Sequence, residues 1–120
     1  MSSAEVGPIR RLIDATRYSL RGLSYGWKKE AALRYEIYAL LVAIPVAWAL
    51  GKGAVERALM IGSALLVVVV EVINSAIEIT VDRIGKDHHE LSGLAKDLAS
   101  AAVFCAIVLA LVVWSILVLS

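Results

Sequence analysis

The amino-acid sequence predicts an all-α membrane protein, with one amphipathic surface helix followed by three transmembrane helices in a single domain of residues 1–120. One observation behind this prediction is composition: 60% of the residues are hydrophobic and the mean hydropathy is +0.80, more apolar than a soluble domain of this size. A second observation is a succession of three long apolar runs. The net charge of only +1 argues against a nucleic-acid partner.

The last apolar run is the clearest transmembrane segment. Residues 98–120 contain no charged side chain, and about 20 apolar residues are enough for a helix to cross a hydrocarbon core of about 30 Å. We therefore expect the third span at about 92–119. Cys105 lies inside this run and is interpreted as a packing residue rather than a redox group.

The two earlier apolar runs, 37–51 and 58–70, are shorter than the length that a span requires. Each becomes long enough only if it includes charged residues, Arg34 and Glu36 in the first case and Glu71 in the second. The predicted spans are then about 31–51 and about 56–84, the second with a cytoplasmic extension. Their charged residues are expected near one interface, with a tight turn between the spans on the other side.

Basic residues predict the orientation of these spans, because loops rich in Lys and Arg stay in the cytoplasm. The loop between the first two spans has only Lys52 and Arg57. The N-terminus and the second loop are therefore expected in the cytoplasm, and the C-terminus outside. Their basic residues are Arg10, Arg11, Arg17, Arg21, Lys28, Lys29, Arg34, Arg83, Lys86 and Lys96.

The N-terminal segment, at about 6–26, is predicted to form an amphipathic helix at the membrane interface. Apolar residues recur at helical spacing between basic residues, which is typical of helices that lie in the interfacial plane. Pro8 suits the first turn, and Trp27 suits an interfacial anchor. Gly22 and Gly26 are expected to loosen the helix before the first span. The apolar face comprises Ile9, Leu12, Ile13, Ala15, Leu20 and Leu23.

A polar stripe runs along the second span. Its members fall on one helix face at 3.6 residues per turn, and a carboxylate inside a bilayer is costly unless it is paired, protonated or metal-bound. The stripe is consistent with a magnesium ligand, with a proton-accepting base, or with ion pairs that only fix helix assembly. Its members are Glu71, Asn74, Ser75, Glu78 and Asp82.

The second loop and the start of the third span add further polar groups. Lys96 is a candidate phosphate contact, and adjacent His88 and His89 have a poor spacing for two ligands to one zinc ion. The glycine-rich signatures of common nucleotide-binding proteins are missing. Any ATP site must therefore be of another kind.

Three strings in the chain resemble the prokaryotic diacylglycerol kinase family. The string from Glu71 to Arg83 reads Glu-Val-Ile-Asn-Ser-Ala-Ile-Glu-x-x-Val-Asp-Arg and is similar to the family signature. The string from Glu90 onward, Glu-Leu-Ser-Gly-Leu-Ala-Lys-Asp-Leu-Ala-Ser-Ala-Ala, is similar to the second block of that family. Upstream, Trp-x-x-Glu-Ala-Ala-x-Arg-x-Glu begins at Trp27. With the length and the three spans, the resemblance covers essentially the whole chain.

The resemblance implies a homotrimer in the bacterial inner membrane whose active sites combine residues of adjacent subunits. It implies ATP-dependent phosphorylation of diacylglycerol, with Glu71 as the general base and Glu30 and Glu78 as Mg²⁺ ligands. We further expect a direct in-line transfer in which Lys96 offsets developing charge. The resemblance also implies that further residues contact the nucleotide or the lipid. The implied nucleotide contacts are Arg11, Tyr18, Glu30, Asn74, Glu78, His89, Lys96 and Asp97, and the implied lipid contacts are Arg11, Glu71 and Ser100.

Other functions remain open from the sequence. Undecaprenol kinases have the same signature, so the lipid is either a diglyceride, which we favour, or a polyprenol. A small oligomeric proton or cation transporter explains the polar stripe but leaves Glu30, Lys96 and Asp97 unused. Two departures from the family pattern, Leu94 and the pair Asp87-His88, leave the details of nucleotide contact undetermined.

Overall fold

In a computed structural model of the chain, which describes residues 7–85 and 89–120, the fold is built from four α-helices. They are α1 (Pro8–Lys29), α2 (Ala31–Leu50), α3 (Ala54–Ile84) and α4 (Glu90–Leu119). The sequence-based expectations for Lys86 and for the pair Asp87-His88 lie outside the described residues.

Helices α2, α3 and α4 are long and apolar enough to cross a membrane, which confirms the prediction of an all-α chain with three such helices. Their lengths are 20, 31 and 30 residues. At about 1.5 Å per residue, even the shortest matches a hydrocarbon core of about 30 Å. Pro45 lies inside α2.

Helix α1 continues through both of its interior glycines and ends at Lys29, so Gly22 and Gly26 do not loosen it as expected. Gly26 is buried, because Leu33 of α2 lies directly against it, and a Cβ atom there would be 2.5 Å from Leu33 Cδ2. Arg34 Nη1 donates a hydrogen bond of 2.7 Å to the Trp27 carbonyl. This satisfies a carbonyl that the end of α1 leaves free.

Helix α3 is the central element, packing against α4 most extensively, then against α2 and α1. It also contributes most of the buried residues, including Met60, Val67 and Val68. Trp114 Nε1 of α4 donates a hydrogen bond of 3.0 Å to the Met60 carbonyl. The outward faces of α2 and α4 remain apolar and exposed, as expected of helices that contact lipid.

A tight turn of residues 51–53 connects α2 to α3. The Lys52 amide donates a hydrogen bond of 3.1 Å to Glu56 Oε1, and the Arg57 guanidinium lies 4.6 Å from the centre of the Trp48 ring. Gly53 has φ of 107°, in the region that favours glycine. Gly51 is buried, and a Cβ atom there would lie 2.6 Å from Arg57 Cγ and 2.7 Å from the Ala47 carbonyl oxygen.

The substitution Gly51→Ala is expected to destabilise the protein by about 1–3 kcal/mol, because overpacking displaces neighbouring atoms. Thermal unfolding in detergent micelles, followed by circular dichroism, measures the effect. Gly22→Ala is the matched control: a Cβ atom there meets nothing within 4 Å, and alanine favours the helix by about 1 kcal/mol. Equal midpoints for the two variants would contradict the packing assigned to Gly51.

Candidate active site

The candidate site is centred on the polar face of α3. Glu71 is only 5% exposed, and Asn74 and Ser75 are also buried, whereas Glu78 is half-buried. The spacing of three and four residues puts Glu71, Asn74 and Glu78 on one face, as the sequence predicted. The face therefore runs from a buried carboxyl group to a partly solvated one.

Asn74 joins the two carboxyl groups of this face. Its Nδ2 donates one hydrogen bond of 3.1 Å to Glu71 Oε2 and another of 3.2 Å to Glu78 Oε1. Both bonds end on carboxylate oxygens, the stronger kind of acceptor. Asn74 therefore orients both side chains, while its own Oδ1 is buried without a hydrogen-bond partner among the described residues.

Glu30 brings a third carboxyl group to the same region. It lies between α1 and α2, with an extended backbone of φ −114° and ψ 101°. Burial first, and then the charges of Glu78 and Glu71, raise the pKa of Glu30 above its ordinary value. Because its carboxylate is disfavoured by the other two, a cation bound here would relieve mutual repulsion.

Lys96 and His89 occupy the region between α3 and α4. Lys96 Nζ forms an ion pair of 2.6 Å with Asp82 Oδ1, and both side chains are substantially exposed. His89 precedes α4, where its Nδ1 accepts a hydrogen bond of 3.1 Å from the Leu91 amide. The side chain of His89 thus caps the N-terminus of α4 through Nδ1.

The other residues that the sequence suggested are more dispersed. Arg11 and Tyr18 are exposed on α1, and Asp97 and Ser100 are exposed on α4. Within the described part of the chain, no side-chain hydrogen bond or ion pair links them to Glu71. Tyr18 borders a cavity of about 440 Å³ between α1 and α3, which Ser75 also lines.

A wide apolar groove of about 660 Å³ opens between α2, α3 and α4. Glu36 is the charged residue of its lining, and Val67 on α3 precedes Glu71 by about one turn. The groove is thus an apolar surface that leads towards the buried carboxyl group. Its other lining residues include Tyr35, Tyr38, Val46, Ala64, Ile107 and Trp114.

Glu36 is a site residue that the sequence reasoning did not assign a role. Its carboxyl group on α2 lies near that of Glu71 on α3. Glu36 Oε2 is buried and has no hydrogen-bond partner in the described part of the chain. The available signal was a second acidic residue inside a predicted span, but the sequence alone does not show which helix faces it.

Comparison with known proteins gives this arrangement a family. Residues 17–118 match the family described as prokaryotic diacylglycerol kinase. The chain belongs to this family. The match includes the whole Glu71 to Glu78 face and the start of α4, so the resemblance noted in the sequence is confirmed.

Curated relatives from three bacteria carry the name diacylglycerol kinase. The relative from Escherichia coli is 51% identical over 110 residues, which are 92% of this chain and 90% of the relative. The relative from Haemophilus influenzae is 47% identical over 106 residues, 88% of this chain and 90% of the relative. The relative from Pseudomonas aeruginosa is 45% identical over 111 residues, 92% of this chain and 90% of the relative.

The substitution Asn74→Asp is expected to damage the site more than Asn74→Ala. Alanine removes a donor to two carboxylates, an effect of about 1.5–3 kcal/mol that corresponds to a fall of about 10- to 100-fold in kcat. Aspartate also places a third negative charge between Glu71 and Glu78. Steady-state phosphoryl transfer in micelles provides kcat.

Thr80→Ala is the control for the Asn74 variants, since Thr80 is exposed on the same helix and its hydroxyl donates a hydrogen bond to the Ala76 carbonyl of that helix. It should retain the activity of the unmodified chain. Full activity of Asn74→Asp would show that the bridge between Glu71 and Glu78 does not serve the reaction.

Proposed function

We propose that the protein is a diacylglycerol kinase, which uses ATP to phosphorylate the hydroxyl of diacylglycerol and releases phosphatidic acid and ADP. The main support is Glu71, a buried carboxyl group that accepts a hydrogen bond on the central span of a chain from this kinase family. Curated relatives with about half of their residues identical are named for the same activity. The reaction takes place at the cytoplasmic face of the bacterial inner membrane.

The lipid substrate is held by its acyl chains in the apolar groove between α2, α3 and α4. Because the groove leads towards Glu71, a diglyceride in it brings its hydroxyl to the buried end of the polar face. Ser100 and Arg11 contact the lipid at the membrane boundary. Holding the tails fixes the hydroxyl relative to the base, and positioning of this kind contributes strongly to the rate.

Glu71 acts as the general base of an in-line transfer. Its carboxylate accepts the hydroxyl proton as the lipid oxygen forms a bond to the γ-phosphorus and the bond to the leaving ADP oxygen breaks. The Asn74 hydrogen bond directs one oxygen of Glu71. The other lone pairs of the carboxylate remain available to the hydroxyl.

Glu30 and Glu78 are proposed to hold Mg²⁺. The donor set fits, because this ion binds one or two protein carboxylates and completes its shell with water and phosphate oxygens, and because the Glu30 carboxyl lies among negative charges. When bound, the ion neutralises charge on the phosphates. Lys96 adds a positive charge beside the phosphates. Because its ammonium is paired with Asp82 in the structure, phosphate binding requires that the ammonium leave this carboxylate or donate hydrogen bonds to both groups.

The remaining nucleotide contacts are assigned to side chains on α1, on α3 and at the start of α4. Arg11 and Tyr18 approach from α1, and Asn74 contributes from α3. His89 uses the ring nitrogen that does not cap α4, and Asp97 lies one residue after Lys96. These parts of α1, α3 and α4 belong to the cytoplasmic side in the proposed orientation.

A homotrimer with shared active sites accounts for polar atoms that one chain leaves unsatisfied. Asn74 Oδ1 and Ser75 Oγ are buried without hydrogen-bond partners among the described residues, a costly state inside a membrane protein. A neighbouring α3 could supply donors. Helix α1 exposes Ile9, Leu12 and Leu20, which supports its placement in the membrane interface.

Phosphate transfer from labelled ATP tests the proposed function directly. Dioleoylglycerol and undecaprenol are offered together in mixed micelles with Mg²⁺, and label is expected predominantly in the diglyceride. Glu71→Gln should lower this transfer by about 10²- to 10⁴-fold, the usual contribution of a general base. Predominant labelling of undecaprenol would instead indicate a polyprenol kinase, and no labelling of either lipid would favour the transporter.

The metal assignment is tested by the variants Glu30→Gln and Glu78→Gln. Each removes one anionic ligand, so the Mg²⁺ concentration for half-maximal activity should rise by about tenfold or more, as one lost charged contact of about 1.5–3 kcal/mol implies. Activity is titrated with Mg²⁺ at constant ATP. Glu90→Gln, exposed in the first turn of α4, is the control, and an unchanged requirement in both test variants would refute the assignment.

A further inference from the structure

The joint between α1 and α2 is held by an arginine to which the proposed reaction assigns no role. Glu30 is the single residue between the two helices, and its extended backbone interrupts the helical path. The last carbonyls of α1 therefore lack the amide donors that a continuing helix would place one turn ahead. Arg34, in the first turn of α2, lies on the other side of this interruption.

Arg34 supplies donors to these carbonyls. Its Nη1 donates a hydrogen bond of 2.7 Å to the Trp27 carbonyl and a longer one of 3.4 Å to the Lys28 carbonyl. A positive side chain at this position also meets the negative end of the α1 dipole. The carbonyls in turn stabilise a guanidinium that is costly at the start of a membrane-spanning helix, and the two ion pairs within residues 7–85 and 89–120 join other residues.

Two apolar contacts hold the same joint. Leu33 packs directly against Gly26, where a Cβ atom would lie 2.5 Å from Leu33 Cδ2. The rings of Trp27 and Tyr38 meet edge to face, with their centres 5.4 Å apart and their planes at 84°, a favourable arrangement for aromatic pairs. Both contacts connect α1 to α2, so together with the arginine they constrain the angle between the two helices.

The constrained joint lies beside the polar face of α3. Gly26 and Leu33 line the cavity of about 440 Å³ that Ser75 also lines, and Ser75 is a buried member of that face. The carboxyl group of Glu30 lies near that of Glu78. Because Glu30 belongs to the joint itself, the angle between α1 and α2 determines where its carboxyl group is held relative to α3.

We propose that Arg34 is a positioning residue: by donating hydrogen bonds to the last carbonyls of α1, it holds the joint at the angle that keeps Glu30 beside Glu78. This inference rests on the proposed role of these two glutamates as Mg²⁺ ligands. Without the guanidinium, α1 moves more freely relative to α2 and carries Glu30 away from Glu78. Loss of Arg34 therefore weakens metal binding more than it slows the transfer at saturating metal.

Substitutions of Arg34 test this role through the Mg²⁺ requirement. Arg34→Met keeps a long unbranched side chain without donors, and it should raise the Mg²⁺ concentration for half-maximal activity by about tenfold, the effect of one lost charged hydrogen bond. Its kcat at saturating Mg²⁺ should stay within about threefold, since the groups that act on the phosphoryl group are unchanged. Arg34→Lys retains a cationic donor, so its Mg²⁺ requirement should rise by only about threefold.

Lys29→Met is the matched control. Lys29 is exposed in the last turn of α1, so this substitution removes the same charge beside Glu30 but leaves the hydrogen bonds of Arg34 in place. Its Mg²⁺ requirement should stay within about twofold of that of the unmodified chain. An equal rise in Lys29→Met and Arg34→Met would show that charge alone is responsible. A fall of kcat in Arg34→Met with an unchanged Mg²⁺ requirement would show that Arg34 does not act through Glu30.

Hydrogen exchange of the whole protein in micelles, without nucleotide or lipid substrate, reports on the joint itself. In Arg34→Met, the amides in the last turn of α1 should exchange about tenfold faster, because a less constrained joint opens more often. The amides of α3 should keep their rates, and Arg34→Lys should show the same pattern to a smaller extent. Circular dichroism and size-exclusion profiles equal to those of the unmodified chain establish that the variants fold. Unchanged exchange at the joint would show that Arg34 does not hold it.

A titration with Mn²⁺, which also favours carboxylate ligands, tests the metal site without turnover. The free ion is followed by electron paramagnetic resonance, and both Arg34→Met and Glu30→Gln should bind Mn²⁺ about tenfold more weakly than the unmodified chain. Weaker binding in Glu30→Gln alone would refute the role of Arg34, whereas unchanged binding in both variants would refute the metal site itself. The two failures are thus distinguished even if the preferred lipid is not diacylglycerol.

Discussion

The structure depends on burying an ionisable side chain in a helix that crosses a membrane. Glu71 is 5% exposed on the central span, where a bilayer provides no water to stabilise its charge. Its burial is compatible with folding because Asn74, one turn away on the same helix, donates a hydrogen bond to it. The central position of α3, between α2 and α4, follows from the same constraint, since an outer helix would expose the carboxyl group to acyl chains.

Helix lengths explain why the polar groups lie at the same depth in the membrane. A hydrocarbon core of about 30 Å takes about 20 residues, and a span counted from the start of α3 at Ala54 ends near Asn74. The same count back from the end of α4 at Leu119 reaches Ser100, while α2, with 20 residues, begins just after Glu30. The last turns of α3 and the first turns of α4 then extend into water, where a nucleotide can bind. In the proposed reaction, the lipid hydroxyl and the nucleotide phosphate therefore meet at this boundary, where Glu30, Asn74 and Ser100 lie.

Sequence alone predicted the parts of this arrangement that depend on periodicity and length. Long apolar runs identified the three spans, and the spacing of Glu71, Asn74 and Glu78 put them on one face, because helix geometry determines both. Contacts between helices could not be predicted in this way. The proximity of Glu36 to Glu71, and the pairing of Lys96 with Asp82, depend on how α2 and α4 are rotated against α3. The same limit explains α1: glycine propensity suggested a loosened end, but packing of Leu33 against Gly26 keeps the helix intact.

In the proposed mechanism, depth along one helix face gives similar side chains different roles. Glu71 is buried and Glu78 is half-buried, although both are glutamates on α3 joined through Asn74. A proton acceptor benefits from a dry site, where its charge is not dispersed by water and its orientation is fixed. A Mg²⁺ ligand needs the opposite, because the ion retains several waters and binds phosphates. Two turns of one helix satisfy both requirements, and the Asn74 amide holds the proposed base and the proposed metal ligand in a constant relation. In the proposed mechanism, one helix that emerges from the membrane therefore places the activation of the lipid hydroxyl beside the binding of phosphate.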